Sequence, residues 1–414
     1  MRVIFKLLLA VLVTFTVTAQ AQTELQGYLK AAGENNLGLK SLFSDYNAAL
    51  ERVPQVGALP DPNLSFGYFI LPVETRVGPQ QAKFGINQMF PWFGTLNAQK
   101  DVAIQLAKVK YEAFEEAKSK LFFEVKSTYF NIYFIQKGIS ITRENLSILK
   151  TFQQLALIKI ETGKSSVVDE MRVEMEINDL ENQLNYLIDS KWVLEVKFNK
   201  LLNTSTANAV LIPDVLRTDS LLYPKDALID SISRQNHLIK QLDFKIASWE
   251  YQQKVAKKRG MPQFSIGVDY TVVGKSDNPN LEGENGRDAL LLPEVGITIP
   301  LYRKKYKAMI NESMLKMESV QFGRKEKQNQ LTVLFENGYK DYSDAGRRIS
   351  LYEKQTALAD KSLGILLTSY SGNGENFEEV LRMERKVLKY TLELDRARAD
   401  KNASVAFINY LLGK

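Results

Sequence analysis

The chain has 414 residues, with 54 Lys and Arg against 48 Asp and Glu, a formal net charge of +6, one histidine (His237) and no cysteine. So small a surplus over so long a chain is no nucleic-acid footprint, and a chain without cysteine has no disulfide framework, lipid-bearing cysteine or thiolate ligands for zinc. No catalytic cluster accompanies the single histidine, so neither an enzyme nor a cofactor site is expected.

Arg2 and Lys6 precede the apolar run Leu7 to Val17, and Ala19-Gln20-Ala21 follows it. This order predicts a cleavable export signal over residues 1–21. No later apolar run is long enough for a spanning helix. An exported chain of that kind is expected in the periplasm, outside the cell, or in the outer membrane as a β-barrel.

A helical stretch at about 24–52 runs toward Leu59-Pro60-Asp61-Pro62, where a strand begins. Leu64, Phe66, Tyr68 and Ile70 alternate with Asn63, Ser65 and Gly67; a weaker mate sets Phe84 and Ile86 against Lys83, Gly85 and Asn87. Period two, apolar on one face and polar or small on the other, fits lipid on one side and water on the other, and also fits an ordinary half-buried sheet. From Ile104 to Ile160 the 3/4-spaced positions are apolar except Lys118, Thr128, Thr142 and Gln153, which predicts a coiled-coil seam on a proline-free helix over 97–161. That helix breaks at Thr162-Gly163-Lys164 and returns through a second amphipathic helix, 166–202; residues 203–224, with Pro213 and Pro224, then form a connector.

The plan is then repeated. Pro62-Asn63-Leu64-Ser65-Phe66-Gly67 is answered by Pro262-Gln263-Phe264-Ser265-Ile266-Gly267, an offset of 200, and Leu121 to Ile132 by Leu331 to Tyr342, an offset of 210. The offset changes across a polar, Gly-rich insert, Gly274 to Gly286, read as a surface loop. The second half carries a helix over 225–259, strands around Phe264–Val272 and Val295–Ile299, a second seam from Leu331 to Tyr370, a break at Ser371 to Gly374 and a return helix, 376–412. The expected organisation is a signal over 1–21, a first repeat over 22–207 and a second over 208–414. The fold class is α+β: long antiparallel helical coiled coils plus four strands. Four strands cannot close a membrane barrel, and open edges cannot sit in lipid, so membrane insertion demands a barrel shared between copies.

With these pieces in order, the chain resembles the TolC-type outer-membrane efflux family over essentially the whole mature sequence. The resemblance rests on Leu59-Pro60-Asp61-Pro62, on Gln88 to Gly94 with its Pro91-Trp92-Phe93-Gly94, on Gly296 to Leu301, and on the hairpin ends Gly163-x-x-Ser166-x-x-Asp169 and Asn376-x-x-Glu379-Val380-Leu381. It implies a homotrimer with one twelve-stranded transmembrane barrel in outer-membrane lipid and a helical tunnel in the periplasm. It also implies partnership with a periplasmic adaptor protein and an inner-membrane pump. The Pro91 to Gly94 and Leu59 to Pro62 forms look most like the heavy-metal branch. Transport would be passive, of small molecules or metal cations. A periplasmic coiled-coil scaffold without a pore is the competing reading.

The family carries an acid near the closed periplasmic aperture where Glu379 stands, and Asp169 is its repeat partner. Ser166-x-x-Asp169 and Asn376-x-x-Glu379 are equally capping-box patterns, in which the acid binds its own helix terminus. Arg382 and Arg172, three residues further on, are candidates for salt links that hold the aperture shut. Gly163, Gly372 and Gly374 read as tight-turn residues, and the resemblance makes them candidate adaptor contacts. Phe90, Trp92 and Phe93 are candidate membrane-interface aromatics. Met171 and Met175 are expected as seam filler rather than metal ligands, and His237 as a surface residue.

Overall fold

A computed structural model describes residues 24–161, 166–277, 284–372 and 377–414. The export signal, Gly163, Gly374 and the Asn376 cap lie outside the described residues. The elements run α1 (24–35), α2 (Leu37–Gly57), β1 (Asn63–Thr75), β2 (Gly78–Phe90), α3 (Thr95–Glu161), α4 (Val167–Leu201), α5 (Lys225–Gln235), α6 (His237–Arg259), β3 (Gln263–Val273), β4 (Ala289–Thr298), α7 (Arg303–Gly372) and α8 (Phe377–Leu411). The fold is thus mostly helical with one four-stranded antiparallel sheet. At 1.5 Å per residue, the 67 residues of α3 make a rod about 100 Å long and the 70 of α7 one about 105 Å long. No described helix is long and apolar enough to cross a membrane.

Packing divides the chain into two units, each drawing on both halves of the sequence. One comprises residues up to 42, 114–237 and 328–414; the other comprises 43–113 and 238–327. The second unit holds the sheet, in order β1-β2-β3-β4 with every pair antiparallel. The β1–β2 hairpin turns tightly, Thr75 opposite Gly78. Gly78 has φ +135°, and a Cβ there would sit 1.8 Å from the Gly274 carbonyl oxygen, so glycine is the residue that fits. The two described ends of the Gly-rich insert bond to this turn: Gly274 donates to the Pro79 carbonyl at 2.7 Å and Gly286 to the Val77 carbonyl at 2.8 Å.

The first unit is a helical assembly whose core follows the seam. Leu121, Val125, Thr128, Ile132, Ile139, Thr142, Leu146, Leu149 and Ala156 of α3 are buried. Off-seam Tyr129, Phe130 and Tyr133 are buried too, because α3 packs on more than one neighbour here, with Tyr129 and Phe198 of α4 among the fully enclosed side chains. The second seam keeps Leu331, Phe335, Ala345, Ala359 and Tyr370 buried. In the other unit the seam keeps Ala107 buried while Ile104 and Tyr111 are exposed.

Two breaks that the hydrophobic pattern does not announce occur at Asn36 and Asn236. Asn36 Oδ1 accepts from Leu39 N at 3.1 Å, capping α2, while its Nδ2 donates to the Leu201 carbonyl at 3.0 Å. Asn236 Nδ2 donates to the Leu411 carbonyl at 2.9 Å. The same bond therefore closes the end of both return helices, and both ends turn through a positive φ, 54° at Asn203 and 74° at Gly413. His237, expected at the surface, is buried, with Nε2 3.2 Å from the Gly413 carbonyl oxygen. Met171 and Met175 correct a second expectation: both lie on the exposed side of α4, not in the seam.

Candidate functional site: the two-faced sheet and the hairpin ends

Side chains directly opposite in an antiparallel sheet share a face. Phe66, Phe84, Tyr270 and Leu290 form one row across all four strands; Leu64, Ile86 and Val268, then Ile266 with Val295 and Phe264 with Ile297, continue the same face. The opposite face carries Ser65, Gly85 and Asp269 in one row, Gly67, Lys83 and Thr271 in another, and Asn63, Asn87, Gly267 and Glu294 in a third. Leu291 beside Asp269 and Met89 beside Ser265 on the polar face, and Gln88 beside Ile266 on the apolar one, break the pattern.

The apolar face is bare: Phe66 is 65% exposed, Ile70 87% and Val295 70%. On the polar face Lys83 Nζ pairs with Asp269 Oδ2 at 2.5 Å. Both outer strands, β1 and β4, pair on one side only, so the sheet ends in two open edges. A soluble protein hides such a face and blunts such edges; here the described residues cover neither.

Where β2 passes into α3, Gly94 takes φ +74° and the aromatic side chains gather. Phe90 stands opposite Phe264 in the ladder. Trp92 stacks on Phe264 with ring centroids 6.0 Å apart, and Phe93, 76% exposed, approaches the same ring at 6.5 Å. Lys258 Nζ donates to the Phe93 carbonyl at 2.9 Å.

The hairpin ends belong to the helical unit. Ser166 is the N-cap of α4, its Oγ accepting from Val168 N at 3.2 Å while Asp169 Oδ2 accepts from Ser166 N at 3.4 Å, a complete capping box. Arg172 lies 3.4 Å from Asp169 on its own helix and 3.4 Å from Glu378 on α8, linking the two hairpins. Arg382 pairs within α8 with Glu379, and Arg385 reaches across to Glu176. Gly372 closes α7. Beneath the ion pairs, Leu149, Phe152, Val173, Ile177, Tyr370, Phe377, Val380 and Leu381 form one apolar cluster.

Residue-type reasoning passed over Glu378, Glu176 and Glu384. Glu384 is the most unusual: it is buried, and its Oε2 has no hydrogen-bond partner among the described residues. Burial raises its carboxyl above the ordinary value, and the nearby carboxylates of Asp360 and Glu144 raise it further. The signal was present, since Phe377, Val380, Leu381 and Glu384 follow one helical stripe.

An open antiparallel sheet with one exposed apolar face, together with two long helical hairpins, is the fold of outer-membrane channel proteins of known structure. Solved structures agree. The outer membrane protein VceC of Vibrio cholerae superposes with a TM-score of 0.76 at 13% identity, covering 95% of this chain and 97% of its own. CusC, described for transmembrane channel formation, gives 0.77 at 15% identity, covering 94% and 92%. The MtrE outer membrane channel of Neisseria gonorrhoeae, in its open state, gives 0.74 at 14% identity, covering 94% and 89%. No protein-family profile and no curated protein sequence matches the chain. At such identities the likeness establishes the fold.

Proposed function

We propose that this chain is the outer-membrane protomer of a TolC-type efflux duct, a passive export channel for small molecules or metal cations powered by an inner-membrane pump. The observation that carries the reading is the sheet: one face apolar and bare across all four strands, the other polar, both edges unpaired. Three copies joined edge to edge, β4 to β1, make a twelve-stranded barrel with lipid outside and water inside, as membrane barrels require. The exposed start of the seam at Ile104 and Tyr111 is surface that neighbouring copies would cover. Localisation follows: barrel in the outer membrane, helices in the periplasm, with an adaptor and a pump as partners. Likeness to VceC and MtrE as close as that to CusC gives the heavy-metal branch no preference.

In this reading the hairpin ends form the periplasmic aperture. Asp169, Arg172, Glu379 and Arg382 are its charged candidates, Arg172 acting as a latch between hairpins through Glu378. Gly163, Gly372 and Gly374 are the adaptor-contact candidates, and Phe90, Trp92 and Phe93 the interface aromatics. The deciding experiment is the mass of the detergent-solubilised protein after inner and outer membranes are separated. A three-chain particle from the outer membrane supports the duct. A soluble periplasmic monomer replaces it with the pore-less coiled-coil scaffold.

A further inference from the structure

Resting on that reading for its placement of the sheet in a bilayer, we infer that the chain carries a binding belt for anionic phospholipid head groups where strands meet helices. The α6 helix ends in Lys254, Lys257, Lys258 and Arg259, and no acid occurs between Glu250 and Asp269. The α7 helix opens with Arg303, Lys304, Lys305 and Lys307, and no acid occurs between Glu294 and Glu312. These eight cations exceed the whole chain's formal surplus of +6, so the remainder of the chain is net acidic. What sets this band apart is that its two stretches hold eight cations and no acid, while the chain as a whole has 54 cations against 48 acids.

The fold gathers that band at the end of the apolar strands. Lys258 is held against the β2–α3 turn through the Phe93 carbonyl, and Arg303 Nη1 donates to the Gly260 carbonyl at 3.3 Å. Lys257, Arg259, Lys304 and Lys305 are exposed, and none of the eight pairs with a carboxylate among the described residues. Cations at the end of α6 suit its dipole and need no ligand to explain them. Those in the first turn of α7 do not: a helix start carries partial positive charge and ordinarily draws acids, of which this turn has none. Charge set against the dipole, without a counter-ion among the described residues, is relieved by an anion from outside.

The neighbouring surface says which anion. Phe93, Leu301 and Tyr302 are 76%, 74% and 81% exposed beside these cations. Apolar and aromatic groups adjoining unpaired lysine and arginine match the bilayer interface, where rings and stems lie among acyl chains and the charged ends reach the phosphates. The ligand is the phosphate of an anionic phospholipid such as phosphatidylglycerol.

The test uses the full chain reconstituted in vesicles of phosphatidylcholine, alone or with about one-fifth phosphatidylglycerol. Protease protection of the strands reports insertion, and the motionally restricted fraction of spin-labelled lipid reports which lipid touches the protein. The expected result is a preference for phosphatidylglycerol on the order of fivefold, the effect of one well-placed cation, which collapses at about 1 M salt. Replacing Lys257, Arg259, Lys304 and Lys305 by glutamine should abolish it. Replacing the exposed Lys354, Lys361, Lys386 and Lys389 of the other unit should leave it intact. An inserted wild-type protein with no preference, or equal loss in both variants, overturns the belt and leaves the channel standing. Failure to insert into either vesicle overturns the channel reading and the belt with it.

Discussion

Placing arginine at Phe66 tests the assignment of the two sheet faces most directly. Phe66 lies in the middle row of the apolar face, paired with Phe84 at a ring-centroid separation of 5.0 Å. Arginine at mid-bilayer depth costs about 2–4 kcal/mol, and losing the aromatic pair adds about 0.5–1.5 kcal/mol. The sum is roughly 3–5 kcal/mol per chain, a hundredfold or more in the folding equilibrium, and the proposed three-chain barrel would meet it in every protomer. In a water-exposed sheet only the aromatic-pair loss would remain, since surface substitutions otherwise change stability by about 0.5 kcal/mol or less. Ser65 is the internal control: one residue away, it faces Gly85 and the row that holds Asp269. The assay is urea titration of oligomer folded into vesicles, read by loss of the slow-migrating band. Phe66→Arg should fall well below Ser65→Arg. Equal midpoints for the two would refute the assignment of the faces.

Three further outcomes are expected. Glu384 binds its proton more tightly folded than unfolded, so its contribution to stability is complete below the ordinary carboxyl pKa and is lost as pH rises through the raised one. Glu384→Gln should therefore raise Tm at neutral pH and flatten the Tm–pH slope above about pH 5; an unchanged slope in thermal melts would show the acid is relaxed by water. Arg172→Gln removes an exposed bridge and should cost less than about 1 kcal/mol, yet widen the proposed aperture, seen as higher single-channel conductance in planar bilayers. If conductance stays put, the link is structural only. Asn236→Ala strands a buried carbonyl at Leu411 and should cost about 1–3 kcal/mol, more than Asn36→Ala, whose site is less buried. Denaturant melts that rank the pair the other way would contradict this account of the return-helix ends.

Strict alternation made β3 readable between Phe264 and Val272, because each residue of that run alternates cleanly between the two faces. The upper part of β1 was less readable: Tyr68, Phe69, Ile70 and Leu71 are apolar in succession, so period two fails just where the register shifts, between Tyr68 and Val73. The seam of α3 was visible as 3/4 spacing. The burial of Tyr129, Phe130 and Tyr133 was not, since a helix with several neighbours buries more than one stripe. Pairing of β2 with β3 joins segments some 180 residues apart, and no local pattern encodes such a partner. The capping box at Ser166 was legible because its partners are three residues apart; that Arg172 also reaches Glu378 depends on packing between two hairpins. His237 could not be placed from type alone, because what buries it is the chain's end at Gly413.

The two unpaired edges also dictate a temporal order. An isolated protomer offers its β1 and β4 hydrogen-bonding rims to any strand, its own kind in the wrong register included, while its greasy side invites clumping in water. Productive joining needs several copies at once, so its rate climbs steeply with local abundance, whereas a mistaken pairing needs only two. For the outer-membrane protomer proposed above, crossing the periplasm would therefore be the hazardous stage of its life. A holdase that shields the strands until they reach lipid would protect yield more than any gain in the stability of the finished assembly.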